Sequence, residues 1–239
     1  MTIGTLFGVS VGTGDPELIT IKGLRQLQRS PIIAFPAGIG DKLGMAQQII
    51  APWLSATQIQ LALEFPYVQD ADVLTQAWQV AAAQIWQHLK QGEDVAFACE
   101  GDASFYSTFN YLAQTLQQNH PEVEIVVIPG VCSPLAAAAA LGIPLTVRSQ
   151  RLIVLPALYN MAELETALQW ADVVVLMKVS SVYEQVWTLL ERHQWLDRAV
   201  VVEWATLPHQ VIHRPLSPSL KLSYFSVLIV QSDSMMTLL

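Results

Sequence analysis

A glycine between two carboxylates, Glu100-Gly101-Asp102, follows a run of strand-type residues at 94–99 and precedes a helix-like segment that begins near Phe105 and Tyr106. In open α/β sheets ligands bind outside the carboxyl ends of the strands. A glycine there lets the backbone come close to a ligand, and a flanking carboxylate supplies charge, so the corner is a candidate ligand edge. The same three residues also make a tight turn from strand to helix. Local sequence leaves both readings open.

Other motifs narrow the chemistry by failing. Gly12-Thr13-Gly14 lies after a strand pattern and before a helix, as in a dinucleotide-binding loop, but the third glycine of that pattern would fall at Glu17. No Gly-Lys-Ser/Thr is present to cradle phosphates, and no HExxH or GxSxG sequence occurs. The five histidines are scattered. Cys99 and Cys132 lack any CxxC or Cys/His spacing and read as small core residues of a reducing compartment, forming neither a disulfide nor a metal site.

The elements that must position such a corner are embedded in an apolar chain. Of 239 residues, 52% are hydrophobic and only 13% charged, about half the usual share near 25%. Such a composition fits an extensive core with a subunit interface, or a neutral surface rich in Ala and Gln. The net charge of -8 excludes a sequence-independent nucleic-acid binder. An anionic substrate would need a local basic set rather than the field of the whole protein. The first residues lack the features of a signal peptide, and the longest apolar tract, 135–145, is too short for a membrane helix. We expect a soluble, cytoplasmic protein.

Strand patterns fall at 5–11, 32–35, 59–64, 94–99, 123–128, 152–155, 173–177 and 199–205. Between them run helical patterns, one opened by Asp15-Pro16-Glu17 and continuing to Arg29, others at 41–54, 70–91, 105–118, 135–141, 161–170 and 182–193. Trp78 and Trp86 lie beside the apolar stripe of the longest helix and are expected to pack in the core. Segments 210–214 and 222–230 are expected to close the chain as an antiparallel hairpin. Asn119-His120-Pro121-Glu122 breaks the pattern, giving an α/β domain at 1–119 and a second at 120–239.

Five stretches, in order and at matching spacing, carry a resemblance. GVSVGTGDPELITIKG (8–23), EGDASFYSTFNYL (100–112), IPGVCSPLAAAAALGIPLT (128–146), VVLMKV (174–179) and VVEWAT (201–206) resemble the signatures of the tetrapyrrole (corrin/porphyrin) methylases. The FYST form of the second stretch, the LMKV strand and the LPALY segment at 155–159 are most similar to the branch that methylates precorrin-2 at C(20) in cobalamin biosynthesis. Pro36 and Ala37 stand where uroporphyrinogen-type members typically carry an aspartate. That departure points away from the early methylation step.

The resemblance implies the two-domain tetrapyrrole-methylase fold of class III methyltransferases, each domain a mixed sheet with flanking helices. It implies S-adenosyl-L-methionine as cosubstrate in a cleft between the domains, and a homodimer. Carried over by motif, the cofactor contacts are Thr13, Glu100, Gly101, Asp102, Phe105, Cys132, Ser133, Met177 and Ala205. The acceptor would be precorrin-2 or its cobalt-bearing counterpart, cobalt-factor II, a macrocycle edged with carboxylates. Lys42, Arg148, Arg151 and Lys178 are candidates to meet those carboxylates, Lys178 foremost because it follows Met177. The methylated meso carbon must lose a proton, with Asp102, Glu100 or Tyr106 available to assist. Catalytic candidates are therefore Asp102, Lys178 and Tyr106, with no metal.

Overall fold

The computed structural model describes residues 2–38, 40, 42–66, 68, 70–157 and 160–231. Leu158 and Tyr159 of the LPALY segment, Asp41 at the expected start of a helix, and the residues beyond 231 lie outside them. The chain divides into two compact units, Met1–Cys132 and Ser133–Leu239.

The first unit holds strands β1 (Leu6–Ser10), β2 (Ile32–Pro36), β3 (Ile59–Leu63), β4 (Val95–Cys99) and β5 (Ile125–Ile128). They form one sheet in the order β3-β2-β4-β1-β5, and every pairing is parallel. Helices α1 (Ile21–Arg29), α2 (Met45–Ile50), α3 (Ala71–Leu89) and α4 (Thr108–Asn119) flank it. β4 is buried along its whole length, as a strand covered on both faces must be. Its residues alternate between two cores. Val95, Phe97 and Cys99 share one with Ile85 and Leu89 of α3 and Phe109 and Leu112 of α4, while Ala96 and Ala98 share the other with Leu27 of α1 and Ile49 of α2.

Side-chain caps fix where these helices begin. Thr20 accepts from Gly23 N–H at α1, Asp70 from Asp72 and Val73 N–H at α3, and Ser107 from Phe109 N–H at α4. Trp86 packs against the core and stacks on His120 at 3.8 Å between ring centroids, as expected, whereas Trp78, half-buried, stacks at 4.5 Å on half-exposed Tyr111 of α4, outside the core clusters.

The second unit holds β6 (Leu152–Leu155), β7 (Val173–Met177), β8 (Ala199–Glu203), β9 (Val211–His213) and β10 (Ser226–Gln231), with α5 (Ser133–Ala140), α6 (Met161–Trp170) and α7 (Tyr183–Arg192). The sheet order is β6-β7-β10-β8-β9. β6 and β7 are parallel, and the remaining pairs are antiparallel. The mixed character expected of both sheets thus resides in the second.

Four expectations need correction. The strand at 123–128 does not open the second half, because β5 pairs with β1 and the first unit extends to Cys132. The last two strands do not form a hairpin. β10 is buried at all six positions and needs a neighbour on each side, which β7 and β8 provide, while the mostly exposed β9 pairs with β8 at the edge. The helix expected from Asp15 to Arg29 is broken: Asp15 caps only a short 3-10 turn, Pro16–Leu18, before Thr20 starts α1 afresh. Among the described residues of the segment expected at 41–54, only Met45–Ile50 is α-helical, followed by another such turn, Ala51–Trp53. Among the described residues no helix is long and apolar enough to cross a membrane, and no cluster of His, Cys, Asp and Glu has the makings of a metal site.

Candidate functional site

The parallel pairing of β1 with β4 brings two glycine-containing strand ends side by side. Val11 N–H donates to the Cys99 carbonyl at 2.9 Å, and Gly12 and Gly101 then exchange both hydrogen bonds, at 2.7 and 3.2 Å, in an isolated antiparallel bridge. Gly101 has a φ of 71°, in the left-handed region that favours glycine. A Cβ placed on it would meet nothing within 4 Å. The space before this backbone is open, which is what a ligand edge requires. Thr13, half-buried, lies between Gly12 and Gly14 on the facing strand end, and Glu100 is exposed.

Asp102 does the work of a fastener. One carboxylate oxygen receives the N–H and hydroxyl of Ser104, and the other receives the N–H of Gly130 at 2.7 Å. Burial works to raise this carboxyl, but the hydrogen bonds from the Ser104 hydroxyl and from the Gly130 and Ser104 N–H groups outweigh it and hold the group below its ordinary 3.8. A carboxylate held so low is a weak proton acceptor near neutrality.

A second fastener is Ser10, fully buried at the end of β1, whose hydroxyl accepts the N–H of Ala103 at 2.8 Å. Gly130 packs so closely that a Cβ there would stand 2.5 Å from Ser10 Cβ and 3.2 Å from the Gly101 carbonyl oxygen. Ser10 and Gly130 were not singled out by sequence. A buried serine in an apolar strand was the only available signal for the first, and nothing local marks the partner of the second.

Phe105 N–H donates to the Asp102 carbonyl at 3.1 Å, turning the chain back so that its half-buried ring lies beside the corner. Tyr106 stands edge-on to Phe105 at 4.7 Å, half-exposed and left-handed at φ 50°. The expected helix start at Phe105 is displaced to Thr108, because Ser107 supplies the cap. The Ser107 hydroxyl also lies 2.7 Å from Cys99 Sγ. Burial pushes the Cys99 thiol up to about 12. Cys132, expected in the core, is instead half-exposed at the end of the first unit, and Ser133 opens α5.

In the second unit the carried-over residues gather at one end of the sheet. Met177 ends β7 and is followed by Lys178, left-handed at φ 55°. Ala205 is buried just past β8, between Trp204 at φ 53° and Thr206 at φ 75°. Residues held off the usual backbone regions cost stability and cluster at ligand sites. Both strand ends flank the start of β10, where Tyr224 and Phe225 lie, two aromatics that sequence analysis passed over.

Of the other basic candidates in this unit, Arg151 lies away from that end. Arg151 precedes β6, at the opposite end of the strands from Lys178; it pairs with Asp172 at 3.1 Å and lies 5.2 Å from the Trp170 ring centroid. Arg148 and Lys42 are exposed loop residues.

With this geometry in place, comparisons with known proteins identify the family. The family model of the tetrapyrrole (corrin/porphyrin) methylases matches residues 5–220. Cobalt-precorrin-2 C(20)-methyltransferase of Salmonella typhimurium is 32% identical over 233 residues, covering 96% of this chain and 97% of that protein. The cobalamin biosynthesis protein CobIJ of Mycobacterium bovis is 34% identical over 218 residues; these span 87% of this chain but only 42% of that protein. Among solved structures, a cobalt precorrin-4 methyltransferase of cobalamin biosynthesis superposes with a TM-score of 0.72 at 21% identity, covering 95% of this chain and 94% of that one, a likeness of fold. A match across nine-tenths of the chain, through both units and both glycine-containing strand ends, shows that this protein belongs to the tetrapyrrole (corrin/porphyrin) methylases.

Proposed function

We propose that the protein is an S-adenosyl-L-methionine-dependent methyltransferase of cobalamin biosynthesis. It would methylate precorrin-2, or cobalt-factor II, at the C(20) meso carbon, giving precorrin-3A or its cobalt counterpart and S-adenosylhomocysteine. The observation that carries the methyltransferase reading is the pinned, open backbone at Gly101, within a chain matching the family from 5 to 220. Near full-length similarity to the Salmonella C(20) enzyme supports the position of methylation.

The cosubstrate, when bound, supplies an activated methyl group to the electron-rich meso carbon. This chain's own residues would then position and shield. Gly101 would border the cosubstrate in the first unit, where Thr13, Glu100, Phe105 and Cys132 are its other proposed contacts, and Ser133, Met177 and Ala205 are those of the second unit. In-line displacement depends chiefly on holding the acceptor carbon behind the methyl group. Asp102 shapes the corner, which leaves Tyr106 or Glu100 to assist departure of the meso proton. Lys178 meets a carboxylate of the macrocycle. We further propose a cytoplasmic homodimer, to be checked by fractionation and by sedimentation.

The test is anaerobic incubation with methyl-labelled S-adenosylmethionine and, side by side, precorrin-2 and cobalt-factor II. We expect label at C(20) in one or both products. Label at another ring position would overturn the C(20) assignment; tetrapyrrole binding without any label transfer would overturn the enzyme reading in favour of a carrier.

A further inference from the structure

Two left-handed residues in the second unit hang from the same dipeptide. Lys178 N–H donates to the Ser226 carbonyl at 3.1 Å and Trp204 N–H to the Phe225 carbonyl at 2.9 Å, because β10 runs between β7 and β8. Tyr224 comes immediately before. Its ring lies 5.3 Å from the Lys178 ammonium, measured from Nζ to ring centroid. From there an arc of rings continues: Phe225 perpendicular to Tyr224 at 5.3 Å, Trp204 tilted on Phe225 at 4.7 Å, and His209 tilted on Trp204 at 4.9 Å.

This arc is open at both ends. Tyr224 is 44% exposed and His209 is exposed. The carboxylate at the same end of β8, Glu203, is engaged by the Ser223 N–H and by His213 Nε2 at 2.7 Å. Lys178 therefore provides positive charge beside a row of aromatic faces. A lysine ammonium on a four-carbon stem is otherwise loosely placed, and a ring face beneath it narrows its range.

We infer that Tyr224 is a positioning residue that holds the Lys178 ammonium, and that the arc from Tyr224 to His209 is a docking face for a flat, conjugated ligand edged with carboxylates. The inference rests on the tetrapyrrole acceptor proposed above and names the part of the chain that recognises it. A conjugated macrocycle can contact the Tyr224 ring and the edges of the tilted rings beyond it while a rim carboxylate reaches the Lys178 ammonium, so the arc offers apolar contact and positive charge side by side.

The test uses the full chain and calorimetric titration with uroporphyrin, a stable tetrapyrrole bearing eight carboxylates, beside mesoporphyrin, which bears two. Wild-type protein should bind uroporphyrin more tightly. Tyr224→Leu should weaken uroporphyrin about fivefold to tenfold, and Tyr224→Phe, which keeps the ring face, should return affinity to within about twofold of wild type. S-adenosylmethionine affinity and thermal midpoint should be unmoved in both variants. The inference is overturned if Tyr224→Leu binds uroporphyrin as wild type does, if Tyr224→Phe fails to rescue, or if the loss falls equally on S-adenosylmethionine. It is also overturned if wild type fails to bind uroporphyrin. The label-transfer assay reports separately on the methyltransferase reading, so failure of the docking face and failure of that reading are told apart.

Discussion

The carboxylate of Asp102 receives the N–H of Gly130 at 2.7 Å, across 28 positions of sequence. β4 and β5 are not neighbours in the sheet, since β1 lies between them. Asp102 therefore bridges the ends of two strands over a third, and Ser10 at the end of β1 fixes the intervening segment from below through Ala103 N–H. The corner that faces open space at Gly101 is held on three sides.

Removing that bridge should loosen the corner more than the fold. Asp102→Ala leaves the Gly130 and Ser104 N–H groups without their acceptor, a cost of about 1–3 kcal/mol where water does not replace it. We expect S-adenosylmethionine affinity to fall at least about tenfold, equivalent to about 1.4 kcal/mol. Calorimetry giving an unchanged dissociation constant would remove Asp102 from the site.

Gly101→Ala isolates backbone freedom from space. The new methyl group meets no protein atom within 4 Å, but a φ of 71° is unfavourable for alanine by about 1–2 kcal/mol. The thermal midpoint should drop slightly and cofactor affinity much more, because the methyl group occupies the space before the backbone. Equal losses in both would show that no ligand approaches there.

Acid should release two strand ends together. Asp102 and Glu203 both sit below their ordinary values of 3.8 and 4.5. In Glu203 burial works to raise the carboxyl, and the Ser223 N–H and His213 outweigh it. A carboxyl depressed in the folded state contributes stability that is present above its unfolded value and is lost as pH falls through the folded one. Stability should therefore decline below about pH 4.5, and Asp102→Asn or Glu203→Gln should each flatten the decline in urea midpoints measured from pH 7 down to pH 3.

The two thiols should differ sharply towards an aromatic disulfide reagent at pH 8. Cys99 is 5% exposed and pushed up to about 12, so almost none of it is thiolate, whereas Cys132 is half-exposed. One thiol per chain should react in the native protein and two after denaturation. Rapid native labelling in Cys132→Ser would refute the burial of Cys99.

Sequence by itself determined what depends on near neighbours. The strand run of β4 and the apolar stripe of α3 follow from residue type and spacing within a few positions, because a helix or strand is stabilised by contacts that its own pattern dictates, whereas the helix starts expected at Asp15 and near Phe105 give way to caps at Thr20 and Ser107. Gly101 was legible as a corner for the same reason, and its motif carried the family.

Only tertiary structure decided the partners. β10 lies in the centre of its sheet because burying six residues requires two neighbours, and adjacency in sequence, which suggested a hairpin with β9, does not supply them. Asp102 is engaged by Gly130, and Lys178 is placed over Tyr224, 46 residues on. Neither pairing has a local signature: each exists because strands distant in sequence end at the same edge of a sheet, where burial rather than propensity selects what meets.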